Sequence, residues 1–418
     1  MKLVIIGQGY VGLPLADAAV RAGLNVTGLE INQDTVTRLN AGVSHVDDIS
    51  QAELEAMVAA GYSATTDTSV IATADVVVIC VPTPLTDAGK PDLSAISSAV
   101  TSVAENLSPS TLVVLESTTY PGTTNDIVLP ILLKSGLQLD EHFHLAFSPE
   151  RIDPGNAVFG LRNTPKVVGG VSAASTEAAA MFYAKILETV VTTKGSREAE
   201  TAKLLENTYR HVNIALLNEM AKFCHELGID LWDVIRAAST KPFGFEAFYP
   251  GPGVGGHCIP IDPNYLSYEV ERTLGYPFRF VELAGEINNG MPRYVVDRIQ
   301  DLLNAEGRAL KGARILLLGI SYKANVSDQR ESPAAPIAKI LEARGAIVSY
   351  HDPRVSEWSI GERALSSVRD LEESLRDCDV AVLLQTHREY AAADDLARLA
   401  PLFFDTRGIT QSDFAHRL

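Results

Sequence analysis

Met1-Lys-Leu-Val-Ile-Ile-Gly7-Gln-Gly9-Tyr10-Val11-Gly12-Leu-Pro-Leu-Ala-Asp-Ala-Ala-Val20 opens the chain, and it reads as a strand, a turn and a helix. Leu3 to Ile6 is an unbroken apolar run of strand length, and after Gly12 the apolar positions recur at helical spacing. Between them Gly7, Gly9 and Gly12 fit G-x-G-x-x-G, with Tyr10 and Val11 in variable positions. The first glycine permits a tight turn, the second lets a pyrophosphate reach backbone N–H groups, and the third allows helix and strand to pack closely. Eighteen residues beyond Gly12 the next strand pattern, NVTGLE, ends in Glu30, an acid able to bind ribose hydroxyls and to repel a 2′-phosphate. The reading is a dinucleotide site that takes NAD rather than NADP; the alternative is a glycine turn in an unrelated α/β fold.

Outward from that unit, KLVIIG, NVTGLE, VVVICVP, TLVVLEST, LAFSPE and PKVVGG alternate with helical patterns up to about residue 195, which predicts crossover helices and a mostly parallel sheet. From Glu198 to a glycine stop at Gly228 the apolar positions keep helical spacing over about thirty residues. A helix of that length, about 45 Å, is long enough to join two lobes and to offer a dimer face. Past another helical stretch, FVELAGEINNGMPRYVVDRIQDLLNAEG, the alternation resumes with ARILLLGISYK, AIVSYHDP, VAVLLQT and LFFDTRG. The expected fold class is α/β: two Rossmann-like, doubly wound parallel-sheet domains joined by a long central helix and a helical middle domain.

At 418 residues the chain is too long for one ordinary core. A composition 46% hydrophobic and 21% charged is that of a globular protein, and a net charge of -17 disfavours nucleic acid and anionic membranes as partners. No apolar run approaches the ~20 residues of a membrane helix, so a cytoplasmic location is expected. Cys80, Cys224, Cys258 and Cys378 show no metal-ligand spacing, and no metal is expected. Three of them lie in apolar or helical patterns and read as small core residues.

Cys258 differs, because it lies in Gly251-Pro-Gly253-Val-Gly-Gly-His-Cys258-Ile-Pro-Ile-Asp262-Pro263. Small residues allow close approach to the sulfur and nearby polar groups favour the thiolate, so a nucleophile is weighed against an inert thiol in a tight turn. Asp262 is near enough to share its site, or simply opens a turn as Asp-Pro. Lys203, Asn207 and Arg210 follow at i, i+4 and i+7 and share a helix face, suited to a developing oxyanion or to nothing beyond a solvated stripe. Thr83, Thr118 and Glu150 each follow an apolar strand, where loops border the ligand crevice of a doubly wound sheet. Against this stand hydroxyl caps for the threonines and an Arg151 ion pair for Glu150.

Taken in order, GQGYVGLPLA, VPTP, ESTTYPGTT, FSPERIDPGN, ETAKLLENTYRHVNIALLNE, GPGVGGHCIPIDP and GISYKANVSDQRESP resemble the motifs of the UDP-glucose/GDP-mannose dehydrogenase family over essentially the whole chain. The resemblance implies an NAD-binding domain at 1–197, a helical dimerisation domain with the cysteine loop at 198–300, and a UDP-sugar-binding domain at 301–418, in a homodimer paired through the central helix. It implies NAD-dependent oxidation of a sugar C6 alcohol to the acid, with Cys258 as nucleophile and Lys203, Asn207 and Asp262 around the reacting oxygen and water. Glu150 and Thr118 then hold that water near the nicotinamide. Tyr249 and Gly253 cradle the sugar nucleotide, and Lys323, Arg330 and Arg407 serve substrate and cofactor phosphates. Cys258-Ile-Pro-Ile-Asp262-Pro263 resembles the branch that acts on UDP-N-acetylhexosamines, and FSPERIDPGN and IPIDPNYL lean toward UDP-N-acetylglucosamine over UDP-N-acetylmannosamine. A two-electron hydroxyacid dehydrogenase leaves Cys258 and the C-terminal α/β region unexplained; a catalytically silent NAD-binding scaffold is the reading from another class.

Overall fold

A computed structural model describes residues 1–46, 48–86, 90–152, 158–256 and 259–418. The chain forms two compact units, Met1–Glu206 with Asn264–Tyr276, and Asn207–Pro263 with Pro277–Leu418.

In the first unit, β1 (Lys2–Ile6), β2 (Asn25–Leu29), β3 (Ser63–Thr65), β4 (Val76–Ile79), β5 (Thr111–Leu115), β6 (Phe143–Phe147), β7 (Lys166–Gly170) and β8 (Val190–Thr192) build one sheet in the order β3-β2-β1-β4-β5-β6-β7-β8. Pairing is parallel except between β6 and β7. The order up to β6 is that of the doubly wound dinucleotide-binding sheet, whose switch point lies between β1 and β4. The unbroken apolar strands follow from burial on both faces: Leu3 and Ile5 join one core cluster, while Val4 and Ile6 join the other.

The second unit repeats the logic with β9 (Arg314–Leu318), β10 (Ile347–His351), β11 (Glu357–Ile360), β12 (Arg363–Ser366), β13 (Val380–Leu383), β14 (Phe403–Asp405) and β15 (Ala415–Arg417). Its sheet runs β10-β9-β13-β14-β15, parallel throughout, and β11 and β12 form an antiparallel hairpin beside it. Ile315 and Leu317 face one core and Leu316 and Leu318 the other. The fold class expected from the alternating pattern is the one observed.

The long helix spans Ser196–Glu226. It stops where expected: Gly228 adopts φ +68 and the Ile229 N–H returns to the Cys224 carbonyl at 2.8 Å. Asp262-Pro263 opens a helix, Asp262–Leu274, rather than a turn; proline suits the first turn because its missing N–H has no partner there. Among the described residues no helix is long and apolar enough to cross a membrane. Cys80, Cys224 and Cys378 are buried and free, and burial pushes the Cys80 thiol well above its ordinary range.

Candidate active site

The glycine turn lies between the ends of β1 and β4. Gly7 has φ +90, and a Cβ there would sit 2.6 Å from the Cys80 carbonyl oxygen. One on Gly12 would sit 1.9 Å from the Gly7 carbonyl oxygen, whereas at Gly9 nothing lies within 4 Å. Gly7 and Gly12 therefore close the turn, and Gly9 leaves it open on the side a pyrophosphate needs. The helix Gly12–Arg21 carries no acid in its first turn, so its N-terminal N–H groups and dipole can accept an anion. Glu30 follows β2 and accepts the Gln8 N–H at 3.1 Å and the Asn32 N–H at 3.1 Å. Tyr10 is exposed and Val11 half-buried. These features fit NAD.

Gln8, a variable position of the motif, is fully buried. Its amide donates to the Ile5 carbonyl at 2.8 Å and its Oε1 accepts the Tyr62 hydroxyl at 2.7 Å. Both side chains pack against Gly28, where a Cβ would meet either at 2.6 Å. Burial holds the Tyr62 phenol above its ordinary range, so it remains a donor. Pattern matching cannot find this plug, because the motif leaves position 8 unspecified.

Thr118 and Lys203 meet: the Lys203 ammonium, on the long helix and 8% exposed, donates to the Thr118 hydroxyl. One helical turn earlier Glu200, 1% exposed, accepts the Gly122 N–H at 2.5 Å and the N–H and hydroxyl of Thr124 at 2.9 and 2.6 Å. Glu200 thus straps the loop that carries Thr118 onto the helix that carries Lys203. Burial pushes its carboxyl up to about 7 although those three bonds pull it down. Thr83 offers its carbonyl to the hydroxyl of Tyr265, a fully buried side chain on the helix Asp262–Leu274.

Glu150 does not pair with Arg151, whose guanidinium binds Glu206 at 2.7 Å. Its Oε1 accepts the N–H groups of Arg151 and Ile152, each at 2.7 Å, and its Oε2 lies 3.4 Å from the Lys166 ammonium. The motif residues that follow, 153–156, lie outside the described residues.

In the second unit the Asn207 amide donates to Asp262 at 2.6 Å, and both side chains are buried. The polar face of the long helix continues through His211 and Asn218, each bonded to Asn288. Arg210 keeps the same helix face by its seven-residue step from Lys203 but is exposed, while the four-residue steps from Lys203 to Asn207 and His211 stay buried. Cys258 and His257 lie outside the described residues. The glycines before them have a packing reason. A Cβ on Gly255 would come 2.9 Å from the Tyr322 Cβ, one on Gly256, at φ +86, 2.7 Å from the Tyr322 ring, and one on Gly253, at φ +140, 3.2 Å from Pro333. Tyr249 stacks on Trp232 with ring centres 6.0 Å apart.

Lys323 is half-buried in a loop clamped from below. Gln385 donates to the Tyr322 carbonyl at 2.9 Å, the Asn325 N–H donates to His387 Nδ1 at 2.9 Å, and His387 Nε2 lies 3.2 Å from Asp352. That Asn325 bond makes Nδ1 the acceptor and leaves the ring proton on Nε2, facing Asp352. Arg330 forms a two-pronged ion pair with Asp328 at 2.7 and 2.9 Å. Arg407 donates to the Leu384 carbonyl at 2.8 Å and lies 3.0 Å from where a Gly251 Cβ would be; burial lowers it to about 10, so it stays charged at neutral pH.

The family models of the UDP-glucose/GDP-mannose dehydrogenase family match this chain in three parts: the NAD binding domain at residues 1–187, the central domain at 197–290 and the UDP binding domain at 316–412. A UDP-N-acetyl-D-mannosamine dehydrogenase of Methanococcus maripaludis is 35% identical, covering 98% of this chain and 93% of that protein. A UDP-N-acetyl-D-glucosamine 6-dehydrogenase of Pseudomonas aeruginosa is 34% identical, covering 96% and 94%. Among solved structures, a UDP-D-ManNAc dehydrogenase from Pyrococcus horikoshii superposes with a TM-score of 0.90 at 30% identity, covering 100% of this chain and 99% of that one.

Proposed function

The chain belongs to the UDP-glucose/GDP-mannose dehydrogenase family, as an NAD-dependent nucleotide-sugar dehydrogenase, and from that premise we propose that it carries the C6 alcohol of a UDP-N-acetylhexosamine through four electrons to the uronate with Cys258 as nucleophile. The observation that carries the proposal is the long helix, which bears Lys203 and Asn207 one turn apart, both buried, tied to Thr118 and to Asp262 respectively. An ammonium and an amide held this way are donors for an oxygen that becomes negative, and each such donor is worth about 3 kcal/mol in acyl-transfer sites.

NAD supplies the chemistry the side chains lack, accepting one hydride in each of two oxidations. In the first the alcohol loses a hydride and a proton and becomes an aldehyde. The Cys258 thiolate adds to that carbonyl, forming a C–S bond while the oxygen takes a proton, and the thiohemiacetal holds the aldehyde in place. Loss of a second hydride and a proton gives the thioester. Water positioned by Glu150 and Thr118 attacks it, the C–S bond breaks, the carboxylate and a proton leave, and the Cys258 thiol is regenerated. On this reading residues 1–197 bind the cofactor with Gly7, Gly9, Gly12 and Glu30. Residues 198–300 pair two copies and carry the cysteine loop, and residues 301–418 bind the UDP moiety, with Lys323 and Arg407 serving the substrate phosphates and Arg330 those of the cofactor.

The gluco epimer is proposed first, on the FSPERIDPGN and IPIDPNYL motifs. The manno epimer is the second reading, favoured by the names of the Methanococcus and Pyrococcus relatives. Initial rates of NADH formation with UDP-N-acetylglucosamine, UDP-N-acetylmannosamine and UDP-glucose decide it. A kcat/KM highest for the gluco epimer supports the first, one highest for the manno epimer replaces it with the second, and UDP-glucose as the best substrate refutes the acetamido preference.

A further inference from the structure

Glu116, Lys166 and Tyr183 form a buried polar cluster to which the scheme above gives no task. Lys166 opens β7, is 3% exposed, and lies 3.1 Å from Glu116 and 3.4 Å from Glu150. Glu116 follows β5, is 1% exposed and accepts the Tyr183 hydroxyl, while the Lys166 ammonium sits 5.3 Å from the centre of the Tyr183 ring. Two carboxylates on one buried ammonium make a poor stabilising device, since ion pairs in a core are commonly matched or bettered by apolar side chains. The arrangement makes sense through the one member that reaches the surface: the Glu150 side chain is 10% exposed, against 4% for Lys166 and 0% for Glu116.

We propose that Lys166 is a positioning residue for Glu150: anchored from behind by Glu116 and Tyr183, it fixes one carboxylate oxygen of Glu150 while the N–H groups of Arg151 and Ile152 fix the other. The inference rests on the reading that Glu150 works beside the reacting carbonyl. Burial pulls the Lys166 ammonium down, but the carboxylates of Glu116 and Glu150 outweigh it and hold it above its ordinary range, so the anchor is cationic at working pH. Burial raises the Glu116 carboxyl, and the Glu116 Oε2 atom has no hydrogen-bond partner among the described residues. That is the signature of a group retained for what it holds rather than for its own solvation.

The test is steady-state kinetics of Lys166→Met beside wild type, Glu150→Gln, the Lys166→Met/Glu150→Gln pair and the surface control Lys185→Met. Lys166→Met is expected to lower kcat about 10- to 100-fold, the scale of a misplaced catalytic group, with both KM values within about threefold of wild type. In the Glu150→Gln background the same change is expected to cost little more, because residues acting through one another are not additive. Should Lys166→Met fail to fold, Lys166→Met/Glu116→Gln removes one cation and one carboxylate, keeps the net charge of the core, and still leaves Glu150 without its anchor; its kcat is expected to stay low. An active wild type with an unchanged kcat in these variants, or with losses that multiply in the Glu150→Gln background, overturns the role of Lys166 alone. A wild type inactive with every nucleotide sugar removes the underlying reading, and this proposal with it.

Discussion

Glu200→Gln isolates one buried carboxyl whose titration can be read from stability alone. In the native protein Glu200 is pushed up to about 7 from an ordinary 4.5, with burial as the dominant cause and its bonds to Thr124 and Gly122 and the charge of Arg197 opposing it. Arg197 is itself paired with Asp126 at 2.8 Å. Because the folded protein binds this proton more tightly than the unfolded chain, its contribution is fully present below about 4.5 and is lost as pH rises through about 7. A difference of about 2.5 pKa units corresponds to about 3 kcal/mol at most, of which about 2 to 3 kcal/mol falls between pH ~5 and ~8. Glutamine cannot titrate. It also turns an N–H toward backbone N–H donors, a fixed cost of about 1–3 kcal/mol. Denaturant unfolding at several pH values, with the exposed Glu198→Gln as control, is expected to show wild type losing stability relative to Glu200→Gln as pH rises. A pH-independent difference, or wild type gaining on the variant, refutes the assignment.

Gly9→Ala and Gly12→Ala separate binding from folding in the same turn. With nothing within 4 Å of its Cβ, alanine at 9 is expected to leave Tm unchanged while weakening NAD in a titration, whereas alanine at 12, 1.9 Å from a carbonyl oxygen, is expected to lower stability as well, by about 1–3 kcal/mol or more; equal Tm losses would contradict this. Gly256→Ala drives a Cβ within 2.7 Å of the Tyr322 ring at a φ of +86. Strain of about 1–3 kcal/mol beside the Lys323 loop is expected to raise KM for the UDP-sugar and to spare KM for NAD, and parallel changes in both would contradict it.

The parallel sheets were legible because strands buried on both faces are written as unbroken apolar runs: KLVII, VVVI, TLVVL and RILLL each appear as a strand. β3, β8 and β15, three residues each, carry too few positions for a period to show. Asp262-Pro263 was ambiguous for a physical reason, since the same pair opens a turn or a helix and only the helical spacing of the residues beyond decides between them. Lys203 with Thr118 and Asn207 with Asp262 came from motifs and meet in the structure. Gln8 with Tyr62, Glu200 with Thr124 and Glu116 with Lys166 did not, because each pair joins residues at least fifty apart and neither partner is unusual alone. One signal was present: a lysine opening the apolar strand KVVGG and a glutamate closing TLVVL are charges at the ends of buried strands, and such charges need partners.

The central claim, a four-electron oxidation held on Cys258 within one site, is tested most directly by counting NADH per sugar with the nucleotide sugar limiting and known, in wild type and in Cys258→Ala. The account predicts two NADH per sugar and a uronate product for wild type, and loss of that turnover in Cys258→Ala. One NADH per sugar with free aldehyde accumulating, or two NADH from Cys258→Ala at the wild-type rate, would contradict it.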